Sequence, residues 1–112
     1  MVETIAGKGG LTHHHPVHAG PIGIIGSTSA NALAAEADVI LAIGTRLQDF
    51  TTGSWTAFAR GARFISINAA RFDALKHRAL AVVGDALEAV EELDAALGKW
   101  KAPADHLPRA KA

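Results

Sequence analysis

Residues 39–43, Val-Ile-Leu-Ala-Ile, constrain the fold most strongly because every position in this run is apolar. A strand with one solvent-exposed face alternates apolar and polar residues, whereas a strand that is buried on both faces is apolar throughout. The β-branched residues in the run favour a strand. The run therefore predicts a central strand of a parallel sheet. Gly44 is predicted to end it, and a polar loop over residues 45–49 leaves its carboxyl end, where open α/β sheets usually bind ligands.

Predicted strands and helices alternate along the rest of the chain. Further strands are predicted at residues 2–6, 63–67 and 79–83, with helices from Ser27 to about Ala37, over 55–59 and from Asp85 to Leu97. Ser27 and Asp85 are the expected N-caps, because their side-chain oxygens can accept hydrogen bonds from the first turn. Gly98 is the expected helix stop. This alternation predicts a three-layer α/β architecture with a parallel sheet flanked by helices.

Two of the predicted helices carry apolar side chains suited to packing. Leu87, Val90, Leu93 and Leu97 form one stripe on the last helix. The helix over 55–59 is expected to cover the sheet, with Trp55 and Phe58 as core residues.

The composition excludes several classes of protein. The 112 residues contain 11 basic and 11 acidic residues, so no net charge favours nucleic acid or membrane as a partner. Disulfides and thiolate metal sites are excluded because the chain has no cysteine, and we expect a cytoplasmic protein. No apolar run approaches the ~20 residues of a membrane span. Prolines and charges accumulate from Lys99, which predicts a domain over 1–98 and a linker or tail over 99–112.

A cluster of histidines raises the possibility of a metal site. His13, His14, His15 and His18 lie close together in the sequence. However, Pro16 interrupts any helix, and no carboxylate or cysteine is spaced to complete a tetrahedral set. We therefore expect exposed loop histidines.

The glycine-rich segments near the N-terminus do not match the known phosphate-binding sequence motifs. Gly7-Lys8-Gly9 lacks the Ser or Thr that follows the lysine of a P-loop, and glycines 20, 23 and 26 lack the dinucleotide-binding spacing. The Ser27-capped helix is at most a generic anion-binding terminus. Ser54, Asp49 and Asp73 are isolated, so we expect turn formers and caps there.

Several motifs in order resemble the middle domain of thiamine-diphosphate-dependent enzymes of the acetolactate synthase and pyruvate decarboxylase superfamily. They are Gly7-Lys8-Gly9, His15-Pro16, Gly23-x-x-Gly26 leading to Ala30-Asn31, Ala37-Asp38, Gly44-x-Arg46 and Val83-Gly84-Asp85. The resemblance covers residues 2–97 and implies a DHS-like NAD/FAD-binding fold. It further implies that the first strand and helix of that fold are missing here.

The stretches GTRLQDFTTGSW and SINAARFDALKHRALAVVGDA are most similar to the hydrolases of this superfamily that act in inositol catabolism. The resemblance implies carbon–carbon bond cleavage and hydrolytic release in a larger enzyme, with thiamine diphosphate as the electron sink. Two other domains would bind that cofactor and its magnesium, and the parent would be a homo-oligomer. This segment alone would be inactive, with no catalytic residue or metal ligand.

Two alternatives remain open, an acetolactate-synthase-like protein and a free-standing FAD- or nucleotide-binding module. Acetolactate synthases bind FAD on the corresponding face, so Gly44, Thr45 and Arg46 are the candidate cofactor-binding residues. We do not expect FAD here.

The missing strand of the family's fold would lie between residues 2–6 and residues 39–43. We therefore expect these two segments either to pair directly or to have the gap filled by association.

Overall fold

The computed structural model describes residues 1–106; residues 107–112, the end of the predicted tail, lie outside them. Its elements are α1 (Thr28–Glu36), β1 (Val39–Ile43), α2 (Asp49–Thr52), β2 (Arg63–Asn68), α3 (Arg71–Ala74), a 3₁₀ turn (Lys76–Arg78), β3 (Leu80–Val83) and α4 (Ala86–Leu97). Two compact units divide the chain. The first contains Met1–Asp38, Gln48–Gly61 and, among the described residues, 103–106; the second contains Val39–Leu47 and Ala62–Ala102.

A parallel sheet organises the second unit. Its strands run in the order β1-β2-β3, with Leu41 opposite Ile65 and Ile67 opposite Val82. The strands predicted at 39–43, 63–67 and 79–83 are thus confirmed, as is the parallel α/β class. Gly44 ends β1 with a φ of 62°, a left-handed conformation that glycine adopts without strain.

The prediction that 39–43 is a central strand is wrong for this sheet. In the part of the chain that the structure describes, β1 pairs with β2 on one side only. Val39, Leu41 and Ile43 remain 39%, 42% and 45% exposed.

The strand predicted at 2–6 is also wrong. Glu3 makes one isolated bridge, to Pro21, and the sheet contains no strand from residues 2–6. Direct pairing of the two segments is therefore wrong, whereas association stays a prediction. A sequence pattern indicates which faces a strand can bury, but pairing partners must also be present.

The two predicted N-caps are both confirmed. The Ser27 hydroxyl accepts a hydrogen bond from the Ala30 amide at 3.2 Å, and α1 buries Ala30 and Ala34. At α4, Asp85 Oδ1 accepts from the amides of Leu87 and Glu88. No helix within residues 1–106 has the length and apolarity to cross a membrane.

The helix predicted over 55–59 is wrong, because the helical turn lies earlier, at α2. Gly53 ends α2 in a left-handed conformation, and Ser54 and Trp55 also have positive φ. The Thr52 hydroxyl donates to Gln48 O and accepts from the Trp55 amide, which stabilises a turn at the point where a helix would continue. The rings of Trp55 and Phe58 still meet, at 6.0 Å between centroids, and both side chains are half-buried.

Loss of the α4 cap gives a first testable result. We expect Asp85→Ala to lower the free energy of unfolding by about 1 kcal/mol, because two first-turn amides lose their acceptor. Asp94→Ala is the matched control, since it removes an exposed carboxylate from the same helix without touching its N-terminus. Urea unfolding followed by circular dichroism measures both variants. Equal losses in the two variants would contradict the capping role.

Candidate functional site

The loop that leaves β1 holds the three predicted cofactor-binding residues, Gly44, Thr45 and Arg46. A Cβ added at Gly44 would meet no atom within 4 Å, so open space lies beside the strand end. Thr45 Oγ1 accepts from the Leu47 amide at 3.2 Å. Its hydroxyl therefore already supports the turn, in which Leu47 has a φ of 47°.

Two side chains from neighbouring segments fix the position of this loop. Asn68, at the end of β2, donates from Nδ2 to Thr45 O at 3.0 Å. Lys76 Nζ donates to Arg46 O at 2.6 Å and forms an ion pair with Asp73 at 2.7 Å. Sequence reasoning missed Asn68 and Lys76. The position of Asn68 directly after a strand, as for Gly44, was the available signal, since carboxyl ends of parallel strands share one edge.

Arg46 supplies the exposed positive charge of this loop. Its side chain is 69% exposed, and its Nε lies 3.8 Å from Asp73 Oδ2. Asp73 was expected to be an isolated turn former, but it is nearly buried and paired with Lys76. The charges of Asp73 and Lys76 neutralise each other in their ion pair. The exposed Arg46 guanidinium is therefore the positive group of this cluster that can bind an anion. Gly44, Thr45 and Arg46 as cofactor contacts stay a prediction.

An open cavity of about 630 Å³ lies in the N-terminal part of the first unit. The residues lining it include Glu3, Lys8, His13, His18, Ser27 and Ser29. His13, His14 and His15 are exposed, as expected, whereas the expectation of exposure is wrong for His18. Its side chain is only 11% exposed, because its Nε2 lies 2.9 Å from Glu3 Oε1.

Glu3 is the buried acidic group of this cavity. Its side chain is 6% exposed, and its Oε2 accepts from the Gly9 amide at 3.2 Å. The hydrogen bond from His18 lowers the pKa of the Glu3 carboxyl, and the Gly9 amide lowers it further against the cost of burial. Within residues 1–106, no three His, Asp or Glu side chains are grouped to hold a metal ion.

The Glu3–His18 pair predicts a pH dependence of stability. Because the folded-state pKa lies below the ordinary 4.5, the stabilisation is present above that value and is lost as pH falls through the lowered pKa. We expect Glu3→Gln to be less stable than wild type near neutral pH, with the difference shrinking in acid. Urea unfolding across the acid range measures this. Glu92→Gln, on the exposed face of α4, is the control. A difference that grows in acid would contradict the assignment.

The segment from Gly23 to Asn31 is a structural clamp. The Gly23 amide donates to Asn31 Oδ1 at 3.0 Å, and Asn31 Nδ2 donates back to Gly23 O at 2.9 Å. The Ile24 amide donates to Phe50 O. These bonds explain the Gly23-x-x-Gly26…Asn31 pattern without a bound phosphate.

With this geometry in place, the match to known proteins defines the class. Residues 1–93 match the protein family described as thiamine pyrophosphate enzyme, central domain. The chain belongs to this family. The match, together with the parallel sheet, agrees with the fold implied by the resemblance.

Individual relatives carry a more specific name. The chain is 43% identical over 100 residues to the 3D-(3,5/4)-trihydroxycyclohexane-1,2-dione hydrolase of Geobacillus thermodenitrificans, covering 89% of this chain and 16% of the relative. Hydrolases of that name from Listeria innocua (43% over 101 residues; 90% and 16%) and Clostridium perfringens (41% over 98 residues; 87% and 15%) are similarly related. The chain thus spans about one-sixth of the length of these relatives.

The acidic groups of the candidate sites already have partners within the chain. In the Val83-Gly84-Asp85 motif, the Asp85 carboxylate accepts hydrogen bonds from two backbone amides of α4. Glu3 is bound to His18 and Gly9, and Asp73 to Lys76. These three carboxylates are therefore already engaged in contacts within the chain.

Proposed function

We propose that this chain is the central domain of a thiamine-diphosphate-dependent hydrolase. The parent would cleave a carbon–carbon bond of 3D-(3,5/4)-trihydroxycyclohexane-1,2-dione in inositol catabolism. The observation that carries the proposal is the sequence identity of 41–43%, over most of the chain, to hydrolases of that name. We assign the domain to residues 1–98 and a linker to 99–112.

The role of the domain is structural. Its buried acidic groups, Glu3 and Asp73, are committed to internal contacts, and the exposed Asp85 caps α4. Two other domains of the parent would bind thiamine diphosphate and magnesium, which supply the carbanion stabilisation that the reaction needs. The parent would be a cytoplasmic homo-oligomer, and the absence of cysteine supports a reducing compartment.

A domain exchange tests this proposal. Residues 1–98 replace the matching segment of the Geobacillus thermodenitrificans relative, and ring opening of the cyclic dione is assayed. We expect the chimera to retain ring opening. The matched control carries the corresponding segment of an acetolactate synthase. A folded chimera that loses ring opening while the control keeps it would contradict the proposal. The mass of the native polypeptide carrying this sequence adds a second check, since a multidomain chain is expected.

A second candidate is nucleotide binding at Gly44, Thr45 and Arg46. The exposed Arg46 guanidinium beside the open space at Gly44 is the observation that favours it. An arginine next to backbone amides can bind a phosphate group through charge-assisted hydrogen bonds.

Titration with FAD and ADP separates the two candidates. We expect no change in flavin fluorescence and no heat of ADP binding. Binding that disappears in Arg46→Ala but persists in Arg60→Ala, a control at an exposed position of the first unit, would favour the nucleotide-binding module.

A further inference from the structure

The open cavity of the first unit has the size of a ligand-binding site. Its volume of about 630 Å³ lies within the roughly 300–1,000 Å³ that is typical of small-molecule pockets. In the part of the chain that the structure describes, the lining residues all come from the stretch between Glu3 and Ser29, and β1 takes no part in it. Hydrogen bonds within this stretch fix its shape, since the Glu3 amide donates to Gly20 O at 3.1 Å and the Ile22 amide donates to Glu3 O at 2.9 Å.

The charged groups of the cavity are a neutralised acid and an exposed base. Glu3 is buried, and its carboxylate contacts His18 Nε2 at 2.9 Å and the Gly9 amide at 3.2 Å. His18 makes the largest contribution to the lowered pKa of Glu3, and the positive charge of Lys8 lowers it further. The Lys8 side chain is exposed, and within residues 1–106 it forms no ion pair. Because Glu3 is already bound and Lys8 is accessible, the cavity favours a negatively charged ligand.

Neutral donors and apolar side chains complete the lining. His13 lies next to His18, with 5.8 Å between the ring centroids, and Ser29 Oγ lies 3.3 Å from Ser27 Oγ. The Ser27 hydroxyl is already used as the N-cap of α1, whereas the exposed side chains of His13 and Ser29 can donate to a ligand. The apolar lining residues are Leu11, Ala19 and Pro21. An apolar wall with a few polar groups that orient the ligand is typical of small-molecule sites.

We propose that this cavity binds a small organic carboxylate. Lys8 supplies a charge-assisted hydrogen bond to the carboxylate, and His13 and Ser29 donate to its oxygens. The apolar wall packs against the carbon chain of the ligand. This site goes beyond the proposed function and does not depend on it.

The charge balance favours a carboxylate over a phosphate group. A carboxylate carries one negative charge, which Lys8 alone can balance. A phosphate group carries about −1.5 to −2 charges at neutral pH. The nearby Glu3 carboxylate opposes this additional negative charge, since like charges repel at short range.

Titration of the 112-residue chain with butyrate, acetate and inorganic phosphate at constant ionic strength tests the site. Nuclear magnetic resonance follows the backbone amides and the histidine rings. We expect saturable shifts confined to residues 3–29, with butyrate binding about tenfold more tightly than acetate because two further methylene groups lie against the apolar wall. Phosphate should bind more weakly than butyrate. Absence of saturable binding by both carboxylates would overturn the proposal, and so would phosphate binding as tight as that of butyrate.

Charge removal identifies the group that holds the carboxylate. We expect Lys8→Gln to weaken butyrate binding about tenfold, because one charge-assisted hydrogen bond is lost. Lys99→Gln is the matched control, since it removes the same charge from an exposed lysine outside the cavity and should leave the affinity unchanged. Equal affinities of wild type and a folded Lys8→Gln variant would overturn the proposal.

The histidines provide a second pair of variants, which holds if Lys8→Gln does not fold. His13 lines the cavity, whereas the adjacent and equally exposed His14 does not. We expect His13→Ala to weaken butyrate binding several-fold and His14→Ala to leave it unchanged. Equal effects of the two substitutions would contradict binding in this cavity.

Discussion

Replacing Gly23 with alanine is expected to lower the free energy of unfolding by about 4 kcal/mol or more, enough to unfold the first unit. A Cβ at this position would lie 2.3 Å from Phe50 O and 3.0 Å from Thr51 Cα. Both neighbours are backbone atoms, which cannot move aside as a flexible side chain can. Gly23 also has a φ of 116°, a conformation that L side chains rarely adopt. The clamp to Asn31 and the bond from Ile24 to Phe50 hold the segment in this position.

Gly61→Ala is the control for that prediction. Gly61 has no atom within 4 Å of an added Cβ and no positive φ. Reduced entropy of the unfolded chain should leave this variant unchanged or slightly more stable, by up to about 1 kcal/mol. Urea unfolding followed by circular dichroism compares the two variants with wild type. A Gly23→Ala chain as stable as Gly61→Ala would show that the close approach of Gly23 to Phe50 is not essential.

Replacing Thr52 with valine is expected to cost about 1–3 kcal/mol of unfolding free energy. Thr52 is fully buried, and its hydroxyl both donates to Gln48 O at 3.1 Å and accepts from the Trp55 amide at 3.2 Å. Valine has nearly the same shape, so the loss isolates the hydrogen bonds rather than packing. Without the hydroxyl, the turn that follows α2 loses its central contact.

Ser66 provides the opposite case in the second unit. Its side chain is 1% exposed, and its hydroxyl has no hydrogen-bond partner within residues 1–106. Ser66→Ala should therefore leave stability unchanged or raise it, because an unpaired buried hydroxyl costs free energy. Thermal and urea unfolding of both variants measure the contrast. A Ser66→Ala variant that loses more stability than Thr52→Val would contradict this account of the two hydroxyls.

Local signals in the sequence predicted much of the fold. The apolar runs at 39–43 and 79–83 and the alternating segment at 63–67 predicted three strands, and Ser27 and Asp85 predicted two helix starts. These features depend on residues within one or two turns of each other. Alternating elements implied a parallel sheet, since successive parallel strands need a crossover connection.

The candidate sites depended on contacts that are distant in the sequence. Glu3 meets His18 across 15 positions, and Lys76 meets Arg46 across 30. Neither contact follows from spacing, because a glycine-rich segment separates Glu3 from His18, and β2 and α3 lie between Arg46 and Lys76. Asp73 is a different case, because its partner Lys76 lies only three positions later, and that local spacing was a signal that the sequence analysis missed.

The sequence by itself determined where the three strands of the sheet lie, the two helix caps and the membership of the thiamine pyrophosphate central-domain family. Only the tertiary structure decided that β1 is an edge strand, that Glu3 is buried against His18, and that the helical turn before Trp55 starts at Asp49. The physical reason is the range of the interactions. Propensity and capping act between near neighbours, whereas burial and strand pairing depend on which distant residues are present to complete them.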